Sequence, residues 1–212
     1  MTEKLFWQDP YLKECDAVVQ KLDGNNVVLD KTVLFAFSGG QASDKGTITG
    51  IQITEALKTG DDIVYTLESA PDFKEDDTVK VELDWENRFR LMRLHSSAHI
   101  IYYIFKDISG QSKLIGSNMH PEKARIDYEM EESVVNYFDE IQKKVDEIIA
   151  QDLEIKVYED SEEPGKRWWD LGEWKMPCGG THVKRTGEIG KIRLKRKNIG
   201  AGKERIEIML DH

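Results

Sequence analysis

Cysteine is scarce in this 212-residue chain: Cys15 and Cys178 are its only two, and they stand far apart. Two thiols do not make the framework of a disulfide-stapled secreted domain, so a reducing cytoplasm is the expected compartment. Long apolar runs are missing as well. No stretch approaches the roughly 20 residues that cross a bilayer, and no membrane partner is expected. The opening segment is acidic and interrupted by Pro10, unlike a signal peptide. No nucleotide motif indicates ATP binding, and no obligate protein partner is evident. Positive charge is in deficit, with 30 Lys and Arg facing 40 Asp and Glu for a net charge of −10. Such a chain does not coat nucleic acid non-specifically, because phosphate binding needs concentrated positive charge.

What is present is the composition of a globular protein, 39% hydrophobic and 33% charged, long enough for one large domain or two small ones. Its cations are unevenly spread. Between Lys184 and Arg205 nine Lys and Arg stand against Glu188 and Glu204. One basic tract on an acidic body suits a local grip on a short piece of nucleic acid, although a solvated strand pair would carry the same charges.

Residues 16–22, 25–30, 32–37, 46–54, 62–68 and 78–84 are short β-rich runs separated by turn residues, with a hairpin signal at Asp23-Gly24-Asn25. Short strands at this spacing predict a small β-barrel, assigned to residues 1–86. The period then changes. Leu91, Leu94, Ala98, Ile101, Tyr102 and Phe105 recur at intervals of three and four, predicting an amphipathic helix over 88–106. Val134, Phe138, Ile141, Val145 and Ile148 predict a second over 131–151. Strand-like segments at 123–128, 154–158, 187–195 and 203–210 make residues 87–212 an α+β domain.

On the first helix, His95 and His99 are four apart, so both imidazoles share one face, one turn apart. Far along the chain, Pro177-Cys178-Gly179-Gly180-Thr181-His182 offers a thiol and a third imidazole in a turn whose glycines are expected to take positive φ. One thiolate and three imidazoles form a set that zinc accepts. Four ligands also describe a closed structural site that merely pins helix to loop, and the spacing alone does not separate the two. A zinc protease would place a glutamate beside the first histidine. Here His95-Ser96-Ser97-Ala98-His99 has no carboxylate, which argues against that chemistry.

Several separated motifs, in order, carry a resemblance. They are the glycine-rich run Ser38 to Gly46, His95 to His99, Gly116-Ser117 with Arg125-Ile126-Asp127-Tyr128 downstream, Cys178 to His182 continuing to Gly190, and Gly200-Ala201-Gly202 leading to Glu207. Together they resemble the AlaX-type alanyl-tRNA editing proteins, which are similar to the editing domain of alanyl-tRNA synthetase. The resemblance spans Leu34 to Leu210. It implies an α+β fold in which a small β-barrel precedes an editing domain of the type common to threonyl- and alanyl-tRNA synthetases. It implies zinc held by His95, His99, Cys178 and His182, and a pocket-facing Ser96. Gln41, in a glycine-rich motif expected near the pocket, is the second candidate catalytic side chain. One position departs from the pattern: Leu114 stands where synthetase editing domains carry a glutamine implicated in the reaction.

The implied activity is hydrolysis of serine, or glycine, wrongly esterified to alanine tRNA. The chain is too short to hold a synthetase core as well, so action in trans is expected. A pocket made for alanine cannot exclude glycine by size and rejects serine weakly, so a second site must remove the wrong ester. Ser96 is the candidate contact to the serine hydroxyl, with zinc orienting the substrate and activating water. His120 and Asp127 are weak candidates for a general base. Lys195, Arg196, Lys197, Lys203 and Arg205 are expected to grip acceptor-stem phosphates. Trp168, Trp169 and Trp174 are candidates to stack on the terminal adenosine, with packing the plainer role. The rival readings are removal of serine from threonine tRNA and a non-catalytic, zinc-stapled module that binds the acceptor stem.

Overall fold

The computed structural model describes residues 1–110, 113–200 and 202–211, so Ala201 of the last glycine motif lies outside the described residues. The chain forms two compact units, Met1–Phe89 and Arg90–His212. It is a mixed α/β protein with few helices and many strands. Among the described residues no helix is long and apolar enough to cross a membrane.

The first unit contains β1 (Glu3–Lys4), β2 (Glu14–Asp23), β3 (Asn26–Leu29), β4 (Lys31–Thr32), β5 (Gly46–Ile48), β6 (Ile51–Thr59), β7 (Asp62–Leu67) and β8 (Thr78–Leu83). Six of these close a barrel in the order β2-β3-β7-β6-β5-β8, and β1 pairs with β4 in parallel. Gly24, at φ 57, makes the two-residue turn between the paired Asp23 and Asn26. Alternation fills the interior with Val19, Val27, Leu29, Ile48, Ile63, Tyr65, Leu67, Val79 and Val81.

The apolar run at 32–37 is not a strand beyond Thr32. Val33, Leu34, Phe35 and Ala36 are buried in irregular backbone. Side chains replace the missing ladder: Leu34 N–H donates to Thr32 Oγ1, Phe35 N–H to Asp44 Oδ2, and Phe37 N–H to Ser43 Oγ. Asp44 in turn accepts from Arg88, whose guanidinium also donates to the Pro10 and Val33 carbonyls. Both charged side chains are fully buried, and besides each other the Phe35 N–H and the Pro10 and Val33 carbonyls satisfy them. The glycine-rich motif is therefore part of a polar knot that fixes this segment.

Helix α1 (Trp85–Ser109) starts where Asp84 caps it, accepting the Asn87 N–H through Oδ1 at 3.0 Å, and ends at Gly110, at φ 66. It is not amphipathic over its central turns. Positions off the expected stripe, including Met92, His95, Ser96, Ser97, His99 and Ile100, are buried too. A helix enclosed on every side has no polar face to display.

The second unit adds β9 (Lys113–His120), β10 (Lys123–Glu129), α2 (Phe138–Ala150), β11 (Lys156–Glu159), β12 (Arg167–Leu171), β13 (Trp174–Pro177), β14 (Ile192–Asn198) and β15 (Lys203–Leu210). Short 3-10 helices occupy Val134–Tyr137 and Thr186–Ile189. One antiparallel sheet has the order β14-β15-β10-β9 and the other β11-β12-β13. Within this unit α1 touches both. Phe105 packs on Tyr128 of β10 at 4.6 Å between ring centroids, and Tyr103 stacks on Trp174 of β13 at 5.2 Å.

Candidate metal centre

The site is assembled from one helix and one strand end. His95 and His99 sit one turn apart on α1, with ring centroids 4.7 Å apart. Cys178 follows β13, where its N–H continues the ladder by donating to the Arg167 carbonyl at 2.8 Å. The chain then turns through Gly179 and Gly180 to His182. Neither glycine has positive φ, contrary to expectation, so the turn closes with ordinary backbone.

Cys178 Sγ lies 3.6 Å from His95 Nε2 and 3.3 Å from His182 Nε2. The donor atoms of all four side chains fall within 4.8 Å of one another, so the group can hold a metal ion. Burial makes the cluster electrically unusual. It lowers His95 to about 3, pushes His99 and His182 well below the ordinary imidazole range, and raises the Cys178 thiol to about 11. Without a cation the four groups are therefore neutral donors, the three imidazoles buried and the thiol partly so, the condition in which a divalent ion is the favourable countercharge for a thiolate.

The surroundings treat the imidazoles unequally. Ser96, fully buried, accepts the Val183 N–H at 3.2 Å and meets His182 Nδ1 at 3.3 Å. That contact fixes the His182 ring with Nε2 toward Cys178, the arrangement by which an outer hydrogen bond orients a ligand. His99 Nδ1, by contrast, is buried with no hydrogen-bond partner among the described residues. So is Trp169 Nε1, and the Trp169 ring meets His99 edge to face at 4.8 Å.

Other candidates are distributed differently. Gln41 is buried in the first unit, where its backbone bridges to Ser38. Leu114 is exposed on β9 opposite Tyr128. His120 is exposed at the end of β9. Asp127 accepts from both Arg125 and Arg205, which leaves it as a structural anion. Trp169 is core, Trp174 stacks on Tyr103, and Trp168 lies under Lys166 and Lys175. Of the five expected phosphate contacts, Lys195, Lys197 and Lys203 are exposed. Arg205 is bound bidentately to Asp127, and Arg196 is held by Glu204 at 2.5 Å.

Residues 158–207 match the model of the threonyl and alanyl tRNA synthetase second additional domain. Over its whole length the chain is 34% identical to the alanyl-tRNA editing protein AlaX-M of Pyrococcus horikoshii, covering 99% of that protein. The chain belongs to the AlaX-M family. A second AlaX-M protein, from Methanosarcina mazei, is 30% identical over 99% of the chain and 97% of its own length. The alanine–tRNA ligase of Methanococcus aeolicus is 35% identical over 97% of the chain, which spans only 25% of that ligase. The synthetase-domain match and the donor cluster both lie in the second unit, with Cys178 and His182 inside the matched stretch.

Proposed function

We propose that the chain removes serine wrongly esterified to alanine tRNA, acting in trans in the cytoplasm. The observation that carries this reading is the convergence, in an AlaX-M chain, of His95 and His99 of α1 with Cys178 and His182, the last two inside the stretch that matches the synthetase domain. Those four residues would hold zinc, which as a Lewis acid would polarise the ester and orient the substrate.

The chain's own residues do the rest. Ser96 keeps His182 in place and supplies discrimination. The Val183 N–H donates to its oxygen, and with His182 Nε2 turned to a metal the Nδ1–H would donate to it too, which would leave its hydroxyl to act as a donor. A seryl side chain offers an acceptor for that proton, whereas an alanyl methyl leaves it unpaired in a dry pocket, at a cost of about 1–3 kcal/mol. Gln41 is assigned a supporting role through the glycine-rich motif. Lys195, Lys197, Lys203 and Arg205 are assigned to acceptor-stem phosphates, with Arg196 anchoring their strand pair through Glu204.

Deacylation of serine, glycine and alanine on alanine tRNA, and of serine on threonine tRNA, tests the reading. Serine should leave alanine tRNA and alanine should stay. Binding of the tRNA without hydrolysis of any ester would overturn it in favour of a binding module.

A further inference from the structure

The four-stranded sheet has one buried face and one open face, and its register puts unexpected residues on the open one. Opposed residues of an antiparallel ladder share a face. Lys195 of β14 therefore stands in one row with Glu207 of β15, Arg125 of β10 and Asn118 of β9. The next row holds Lys197, Arg205 and Asp127. The intervening positions, including Ile206, Ile208 and Ile126, form the buried face, and Arg196 belongs to that side with Ile206.

The open face is cationic although the protein carries a net charge of −10. Its three carboxylates are paired internally: Asp127 is clamped between Arg125 and Arg205, Glu207 accepts from Lys123 at 2.6 Å, and Glu129, opposite Lys203 in the following row, accepts from Lys113 at 3.0 Å. Each acid holds cations in place without cancelling the excess. Three inter-strand gaps of about 4.8 Å make the face about 14 Å wide.

We infer that this face binds the wide, shallow minor groove of an A-form RNA duplex. Lys195 and Lys197 would contact one backbone, and Lys123 and Arg125 the other. A broad sheet face with charges on two strands that are not neighbours suits recognition by shape and by phosphate or 2′-hydroxyl contact, which is how duplex RNA is read. The acidic remainder of the chain repels a polyanion and so confines it to this face. The inference rests on the reading of the chain as acting on tRNA, but it adds β10 to the contact surface, sets Arg196 aside, and names the groove. Asp127 is a positioning residue here, acting through Arg125 and Arg205.

The test measures binding of an acceptor-stem RNA hairpin against salt. Lys195→Gln with Lys197→Gln should weaken binding at least tenfold and lower the slope of log K against log salt by about 2, one counterion for each phosphate no longer neutralised. Arg125→Gln should lower it by about 1 more. Lys58→Gln with Lys74→Gln, exposed lysines of the first unit, should change neither. Because Arg125 also pairs with Asp127, its variant is accompanied by a melting curve. If Arg125→Gln melts early, Lys123→Gln takes its place. The hairpin should outcompete both a single strand of equal length and the DNA duplex of the same sequence. An unchanged salt slope in the β14 and β10 variants, or equal competition by the single strand, would overturn the inference. Serine deacylation with an unchanged slope refutes the surface and leaves the activity standing, whereas slope loss without deacylation does the reverse.

Discussion

The two units treat buried polarity in opposite ways. In the barrel unit the buried groups find partners within the fold: Arg88 with Asp44 and two carbonyls, Tyr65 Oη with Thr32 and the Leu34 carbonyl, Thr2 Oγ1 with the Leu29 carbonyl. Exceptions are Asn87, in the first turn of α1, and Asp62 Oδ1, which only the N-terminal amine meets. In the second unit four potential ligands crowd together, His99 Nδ1 and the adjoining Trp169 Nε1 have no hydrogen-bond partner among the described residues, and Tyr128 Oη, away from the cluster, has none either. A buried polar group without a partner costs stability, so a fold that keeps several in one place is arranged for something that binds there. The barrel knot is finished by folding. The histidine cluster is left able to hold a metal ion.

The sharpest way to break that contrast is to remove a donor. Cys178→Ser or His99→Ala should lose the bound metal and reduce serine removal by on the order of 100-fold or more, as read by metal analysis and deacylation. Full activity in either would reduce the cluster to a polar core like that of the barrel. Arg88→Met tests the other side. It leaves Asp44 buried and unpaired, and should cost about 3–5 kcal/mol in urea unfolding. Metal bound per folded molecule should be unchanged, and a fall would show that the knot also supports the cluster.

Ser96→Ala should weaken metal binding by about 10- to 100-fold in chelator competition, with Ser96→Thr restoring most of it. If affinity is untouched, Ser96 acts on substrate alone. The smallest effect is one of pH. Arg196 holds the Glu204 carboxyl below its ordinary range and Lys123 does the same for Glu207. Both groups bind protons more readily unfolded than folded. Their stabilisation is therefore complete above about pH 4.5 and is lost as pH falls through the depressed values. Glu204→Gln should flatten that part of the acid limb.

Much of the molecule is legible from local pattern. The turn at Asp23 to Asn26, the strand Lys203–Leu210 and the helix carrying both histidines follow from residue chemistry at short range. The run at 32–37 misleads because an apolar segment reads alike whether it forms a strand or is buried as irregular chain tied by side chains. Strands β9, β12 and β13 are hidden for a related reason. β12 and β13 are short and mix aromatic with charged residues, β9 is broken by Gly116 and polar residues, and their pairing partners rather than their own periodicity define all three.

The sequence by itself determined the donor inventory and the spacing of His95 and His99, because a helix places residues four apart on one face whatever surrounds it. It also determined that positive charge collects near the C-terminus. Only tertiary structure decided that Cys178 meets a histidine 83 positions away, that Ser96 bonds to His182, and that Lys195 and Arg196, adjacent in the chain, look out of opposite sides of a sheet. Those outcomes depend on register and long-range packing, which no local period encodes.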